Sequence, residues 1–348
     1  MEHQHLGAAL RRIGPSVGHA RALSIAGFLL LAVLLAGDAA IVLGVRAQPH
    51  SGALLYLNRG GIWRLNLETE ERQPFLQLSS GTITHVSHSS DRTRIAYSTD
   101  IRGAGLDRVA SEIVVATARG NDPRVIVREE RTGATVEWPS WSPDGMRLSY
   151  AKTPFGSRTQ RIEEVDVATG ARNLVADAGS SPSYSPDGET IVFAAPVGQT
   201  WSISTVARQG GEPALVVPAT GFEDLDHPLF APIGEYIVFL AATSVPESPV
   251  SRATSSQSRL IGRAPATHPG SDANFDLWAV RLDGTELRKV ADLFSQQPYL
   301  AWSPDGQSIA ARDRLGLRVV DVATEPHDGA GARWVSGLVG SGPISWGW

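Results

Sequence analysis

From Ala53 onward, apolar and polar residues alternate in short runs separated by Gly, Pro, Asp and Ser, the pattern of half-buried strands joined by tight turns. The clearest runs are Arg147 to Ala151, Thr190 to Ala194, Tyr236 to Ala241 and Ser308 to Ala311, each just after a Pro-containing turn that ends in Gly. A further alternating run follows each of them: Ile162 to Val167, Trp201 to Val206, Asp276 to Leu282 and Leu317 to Val322. Short closing runs such as Asn173 to Ala176 complete the units. Upstream the pattern changes: Ala22 to Val45 runs 24 residues with a single charge, Asp38. As a helix rising about 1.5 Å per residue, that segment exceeds a hydrocarbon core of roughly 30 Å.

The alternating region is built on a repeat. Trp138-Pro-Ser-Trp-Ser-Pro-Asp-Gly145, Ser181-Pro-Ser-Tyr-Ser-Pro-Asp-Gly188 and Ala301-Trp-Ser-Pro-Asp-Gly306 share one pattern. His85-Val-Ser-His-Ser-Ser-Asp91 and His227-Pro-Leu-Phe-Ala-Pro-Ile-Gly234 keep its spacing, and Pro343-Ile-Ser-Trp-Gly-Trp348 is a sixth copy that stops at the turn. Asp91, Asp144, Asp187, Ile233 and Asp305 lie 53, 43, 46 and 72 positions apart, so the fifth unit contains an insertion. Pro sets φ for the first corner of a type I turn, Asp suits the second, and Gly takes the left-handed position that reverses the hairpin. Each copy therefore predicts an inner strand, a tight turn and a second strand, and the runs that follow supply a third and a fourth. Four strands per unit of roughly 40 to 50 residues is the period of a β-propeller.

Six copies predict six blades once the ends are reconciled. Ala53 to Leu57, Ile62 to Leu67 and Pro74 to Leu78 read as the second, third and fourth strands of a blade that lacks its first. The C-terminal Pro343 to Trp348 supplies that inner strand, so the ring closes by pairing the two ends of the chain and removes an open sheet edge. The Trp-Ser-Pro-Asp-Gly copies resemble the TolB-type, WD40-like PD40 repeat over about Gly52 to Trp348. The resemblance implies an all-β, six-bladed propeller in which Asp144, Asp187 and Asp305 are structural, and it carries no catalytic residue. It is specific for fold: repeats of this kind occur in periplasmic scaffolds, in sensor ectodomains and in propellers that gate prolyl oligopeptidases.

Arg11, Arg12 and Arg21 precede the apolar segment, which by the positive-inside rule holds the N-terminus in the cytoplasm and sends the propeller out. The expected organisation is a cytoplasmic arm over residues 1–21, a transmembrane signal anchor over 22–45, a linker over 46–52 and a propeller over 53–348 with a flexible insertion at 243–274. The alternative is a signal peptide cleaved near Ala47, leaving a secreted or periplasmic propeller. The insertion is rich in Pro, Ser and Arg and poor in large apolar residues, the composition of a flexible segment.

Composition narrows the chemistry. A net charge of −5 and 31 Lys+Arg against 36 Asp+Glu argue against nucleic acid, and the absence of cysteine excludes disulfides, thiolate zinc sites and cysteine nucleophiles. Gly14-Pro-Ser-Val-Gly18 matches a nucleophile elbow in letters but lies outside any strand-turn-helix context. What remains is the channel. The residues preceding each inner strand include His85, Glu137, Asp226, His227 and Gln297, with Glu223 and Asp224 beside them. These are the candidate binding residues at the channel mouth. Asp224, Asp226 and His227 could form half a metal site; the preferred reading is a solvated acidic loop, because loops are normally polar and exposed. His88, at a repeat aromatic position, is expected to pack between blades, whereas Trp138 stands outside the aromatic register and is expected to be partly exposed. The expected function is a membrane-tethered, extracytoplasmic, non-catalytic scaffold that binds a protein, peptide or envelope component, with no cofactor. The alternatives are a channel-centred metal-dependent hydrolase of lactonase type, with a metal such as calcium, and a ligand-sensing ectodomain.

Overall fold

A computed structural model of the chain describes residues 52–347, apart from 103–107, 131–132, 234, 244–273, 296–297, 323–331, 336–337 and 339–341. The proposed anchor at 22–45, almost all of the insertion at 243–274, and Gln297 lie outside the described residues. Among the described residues every regular element is a strand, and no helix is long and apolar enough to cross a membrane.

The strands form six four-stranded antiparallel sheets. Blade one holds β1 (Ala53–Asn58), β2 (Gly61–Asn66) and β3 (Arg72–Leu76). Blade two is β4 (Thr82–His88), β5 (Arg94–Arg102), β6 (Arg108–Thr117) and β7 (Arg124–Glu130). Blade three is β8 (Thr135–Trp141), β9 (Arg147–Thr153), β10 (Arg161–Asp166) and β11 (Arg172–Ala176). Blade four is β12 (Ser180–Tyr184), β13 (Thr190–Val197), β14 (Thr200–Ala207) and β15 (Ala214–Val217). Blade five is β16 (Asp224–Phe230), β17 (Tyr236–Ala242), β18 (Phe275–Arg281) and β19 (Arg288–Ser295). Blade six is β20 (Tyr299–Trp302), β21 (Ser308–Arg312), β22 (Leu317–Asp321) and β23 (Ala332–Val335). The last strand, β24 (Ile344–Trp346), returns to blade one as its inner strand, pairing Leu54 with Trp346 and Tyr56 with Ile344. The ring thus closes through the two ends of the chain, as the truncated sixth repeat predicts.

The repeat turns are built as their chemistry requires. The Ser142 hydroxyl donates to Asp144 Oδ1 at 2.6 Å and accepts from the Arg147 N–H at 2.9 Å, while Gly145 sits at φ 66°. Ser185 with Asp187 and Ser303 with Asp305 repeat the arrangement at 2.5 Å. The Ser185 hydroxyl is the main cause of the Asp187 carboxyl titrating below its ordinary range. These aspartates are spent on the turn.

The core is a circle of six interfaces between neighbouring blades. Trp141, Leu148 and Tyr150 of blade three pack on Ile113 and Val127 of blade two, and Tyr184 and Phe193 of blade four pack on Ile162 and Val175 of blade three. The circle is completed where Ala310, Val319 and Val335 of blade six meet Leu54, Tyr56, Leu65 and the incoming Trp346. Arg312 bolts this last interface: its Nη1 donates to Leu57 O at 2.9 Å and Gly342 O at 3.1 Å, and its guanidinium lies over the Tyr56 ring. Burial lowers the Arg312 pKa to about 10, against the opposing influence of Tyr56 and Tyr299. His88 does pack between blades: its N–H donates to Ser345 Oγ at 3.0 Å, and its Nδ1 lies 2.8 Å from the same hydroxyl.

Candidate functional site: the channel mouth

Each inner strand (β4, β8, β12, β16, β20 and β24) is paired on one side only, so six free edges surround the propeller axis. A bare edge invites further pairing, and bulges are a common way to blunt it. Register shifts interrupt β4 between Ile83 and His85, β8 between Glu137 and Ser140, β12 between Ser180 and Ser183, and β16 between Asp226 and Leu229. In three of them the residue before a proline takes a left-handed backbone: Trp138 at φ 59°, Ser181 at 51° and His227 at 50°. Such a conformation costs a residue with a Cβ about 1–2 kcal/mol. Proline is tolerated at these places because an edge strand at a bulge can do without one ladder N–H. Equivalent strain in three blades, all at one level of the axis, marks the channel as the place where the fold departs from regular geometry.

The departure brings four rings together. His85 and Trp138 lie 3.9 Å apart between centroids, Trp138 meets His227 edge-on at 4.3 Å, and His227 meets Tyr299 edge-on at 5.2 Å. Trp138 and Tyr299 stack at 5.9 Å with 20° between their planes. His85, Trp138 and His227 each stand fourth of seven residues in their inner strands, and Tyr299 opens β20. A cavity of about 230 Å³ continues from the rings along Ser140, Ser183 and Ser345 toward Ser90 and Arg92 at the repeat-turn end.

The electrostatics follow from burial. His85 is buried, and desolvation, reinforced by His227, drops its pKa to about 3, so it is a neutral ring at physiological pH. Tyr299 is raised to about 12 by burial first, then by the carboxylates of Asp226 and Glu137. Asp226 Oδ1 accepts the His227 N–H at 2.7 Å and the Ser181 hydroxyl at 3.3 Å. Its Oδ2 lies 2.9 Å from His227 Nδ1, off the line a hydrogen bond needs, so the charge is near the ring while both ring nitrogens lack a hydrogen-bond partner. Glu137 is half-buried, and its Oε2 accepts from Gln160 Nε2 at 3.5 Å.

Of the residues expected at the mouth, His85 and His227 line the channel cavity, while Glu137 and Asp226 are half-buried beside it in sequence, each just before a bulge residue. Glu223 is exposed and its N–H closes the blade by donating to Ala242 O at 2.8 Å. Asp224 is buried, with its carboxylate accepting the Leu225 N–H at 2.9 Å. The solvated acidic loop is therefore corrected: Asp224 to His227 belongs to β16, and both Asp224 and His227 are buried. The cause is Leu225, fully buried in the interface between blades four and five, which draws the segment into the inner strand opposite Ala241. Among the described residues no group of three or more His, Asp or Glu side chains is placed to hold a metal ion, so the half-site suggested by Asp224, Asp226 and His227 is not assembled into a cage. Two residues of the cluster were not legible as such. Trp138 is half-buried as expected, yet it faces the axis, and Tyr299 carries no motif. A signal existed: His85, Trp138, Ser181, His227 and Tyr299 each stand three residues before the repeat aromatic or its substitute.

No family model matches the chain. It is 24% identical over 273 residues to an uncharacterised protein of Agrobacterium fabrum, covering 76% of this chain and 81% of that one. Over 83 residues, 24% of the chain, it is 40% identical to the Tol-Pal system protein TolB of Xanthomonas oryzae, a stretch that is 17% of that relative's length. The crystal structure of TolB from Acinetobacter baumannii superposes with a TM-score of 0.61 at 17% identity, covering 86% of this chain and 67% of that one, which is a likeness of fold. With six blades closed by β24 pairing with β1 and built on Ser-Pro-Asp-Gly repeats, this chain is a six-bladed β-propeller similar in fold to TolB.

Proposed function

We propose that the chain is a non-catalytic scaffold of the cell envelope, tethered to the membrane through residues 22–45, whose propeller binds a protein or peptide at the channel mouth. The observation that carries this reading is the strained backbone at Trp138, Ser181 and His227, which sets an aromatic cluster against the channel cavity, with Glu137 and Asp226 next in sequence to Trp138 and His227. An arrangement of this kind suits recognition by shape and charge. The relatives named for the Tol-Pal system support an envelope setting.

The face around the mouth supports a macromolecular ligand. Hairpins between the second and third strands end on that face, and three of them expose a large apolar side chain: Phe155 at 74%, Val197 at 52% and Leu315 at 64%. Exposed apolar side chains gathered on one face are a common mark of an interaction surface. Ala53 begins β1 at the opposite, repeat-turn end, beside Gly347, whose N–H donates to Ala53 O at 2.7 Å. A tether entering at Ala53 turns that end toward the membrane and the mouth away from it.

The test is copurification of the detergent-solubilised full chain from its native host, alongside a Phe155→Ser/Leu315→Ser variant and one with 244–273 replaced by a short turn. A stoichiometric partner retained by the native chain and lost from the surface variant supports the scaffold. Equal recovery from all three places binding elsewhere. Accessibility labelling that found the repeat-turn end more exposed than the mouth in intact cells would overturn the orientation.

A further inference from the structure

Arg92 departs from the repeat at a turn position where three other copies hold glycine. Gly145, Gly188 and Gly306 follow the turn aspartate at φ 66°, 75° and 68°, whereas Arg92 follows Asp91 at φ 60°, a left-handed conformation that strains a residue with a Cβ. Strain of this kind points to a task for the side chain. Arg92 is half-buried and lines the channel cavity of about 230 Å³, and its Nη1 donates to Trp346 O on β24.

The cavity carries one sign of fixed charge. The described residues that line it include no aspartate or glutamate, and Arg92 is their single arginine or lysine. His85 and His88, which also line it, are neutral rings with pKa values lowered to about 3, chiefly by burial. Among the described residues no carboxylate pairs with the Arg92 guanidinium, and burial with no opposing charge lowers its pKa. The adjacent Asp91 is occupied in the turn: its carboxylate accepts the Ser89 hydroxyl at 2.5 Å and the Thr93 hydroxyl at 2.9 Å, and the arginine that acts on it is Arg94. Ser87, another lining residue, has a buried Oγ with no hydrogen-bond partner. A buried polar atom normally has one.

We propose that the repeat-turn end of the channel binds a small organic monocarboxylate, with its carboxylate on Arg92 and its body along the serine, proline and tryptophan wall. An anion supplies the counter-charge that the guanidinium lacks, in a charge-assisted hydrogen bond. A cation would be repelled, and a neutral body would cover the guanidinium without compensating it. One guanidinium balances one negative charge, so a phosphate dianion would enter a lining with no second arginine or lysine and remain half uncompensated. Closing the ring onto Trp346 O uses one N–H of Arg92 and needs no charge. The site is separate from the partner surface at the mouth, and either can fail without the other.

The experiment uses the full chain in detergent, labelled with 5-fluorotryptophan, with the resonance of the half-buried lining residue Trp302 assigned from Trp302→Phe. The probes are sodium acetate, sodium benzoate, benzamide as the neutral isostere and inorganic phosphate, all at constant ionic strength. A saturable Trp302 shift with at least one of the two carboxylates, none with benzamide, and weaker binding of phosphate are expected. Arg92→Gly restores the repeat glycine. It should weaken carboxylate binding about tenfold or more while the melting midpoint stays near that of the native chain. If Arg92→Gly does not fold, Arg92→Gln is compared by the same titration, and the contrast between benzoate and benzamide on the native chain decides by itself. No saturable shift with either carboxylate, an equal shift with benzamide, tighter binding of phosphate, or unchanged carboxylate affinity in the variant overturns the inference.

Discussion

Removing the last six residues, Pro343 to Trp348, tests how the ring is held closed. Trp346 is 2% exposed and packs in the interface between blades six and one, and a buried Trp→Ala change costs about 3–5 kcal/mol. Ile344 is buried beside it, contributing about 1.5–3 kcal/mol by area. The truncation also removes the backbone pairing to β1 and the Ser345 hydroxyl that His88 uses, at about 0.5–1.5 kcal/mol for each hydrogen bond. Together these come to about 5.5–11 kcal/mol, comparable with the whole stability of about 5–15 kcal/mol typical of a domain. Urea unfolding of the solubilised full chain, followed by circular dichroism, should show Trp346→Ala with a clearly lowered midpoint. The truncated chain should lack a cooperative transition. Leu215→Ala, at a 62% exposed outer-strand position, serves as the control and should shift stability by less than about 0.5 kcal/mol. A truncated chain that unfolds at the native midpoint would refute closure by β24.

Three further outcomes are expected. His85 and His88 are neutral in the folded chain, with pKa values lowered to about 3 chiefly by burial, so the unfolded chain binds more protons below about pH 6.5; stability is fully present above that value and falls toward pH 3, by up to about 1.4 kcal/mol per pH unit for each histidine. Urea midpoints between pH 7 and 4.5 measure the slope, which His88→Asn should flatten; an unchanged slope would remove His88 from the account. Arg312→Met leaves the buried Leu57 and Gly342 carbonyls without that donor and should cost about 2–4 kcal/mol by the same unfolding assay. Gly81→Ala should cost about 2 kcal/mol or more, because Gly81 sits at φ 96° and an added Cβ would come within 2.4 Å of Asp100 O, a backbone atom that cannot swing away.

Legibility in the sequence follows the range of the interactions. The Ser-Pro-Asp-Gly turns, the strands beside them and the number of blades are written locally: Ser142, Asp144 and Gly145 bond within a few residues of one another, and period-two alternation needs no distant partner. Even the closure was legible, because a blade missing one strand at the start and a spare strand at the end leave one economical pairing. The channel was not. Reading alternation through Glu137, Trp138 and Pro139 assumes an unbroken strand, and a bulge at Trp138 changes where the side chain goes. Whether an edge bulges is decided by the space left at the axis once six blades have met. The same holds for Asp224 and His227, polar enough to read as loop, which are carried inside because Leu225 packs between blades four and five. Local chemistry therefore determined the blades and their turns, while the meeting of Trp138, His227 and Tyr299 from three blades was decided by ring closure, a tertiary constraint that their shared spacing from the repeat aromatic marks but does not dictate.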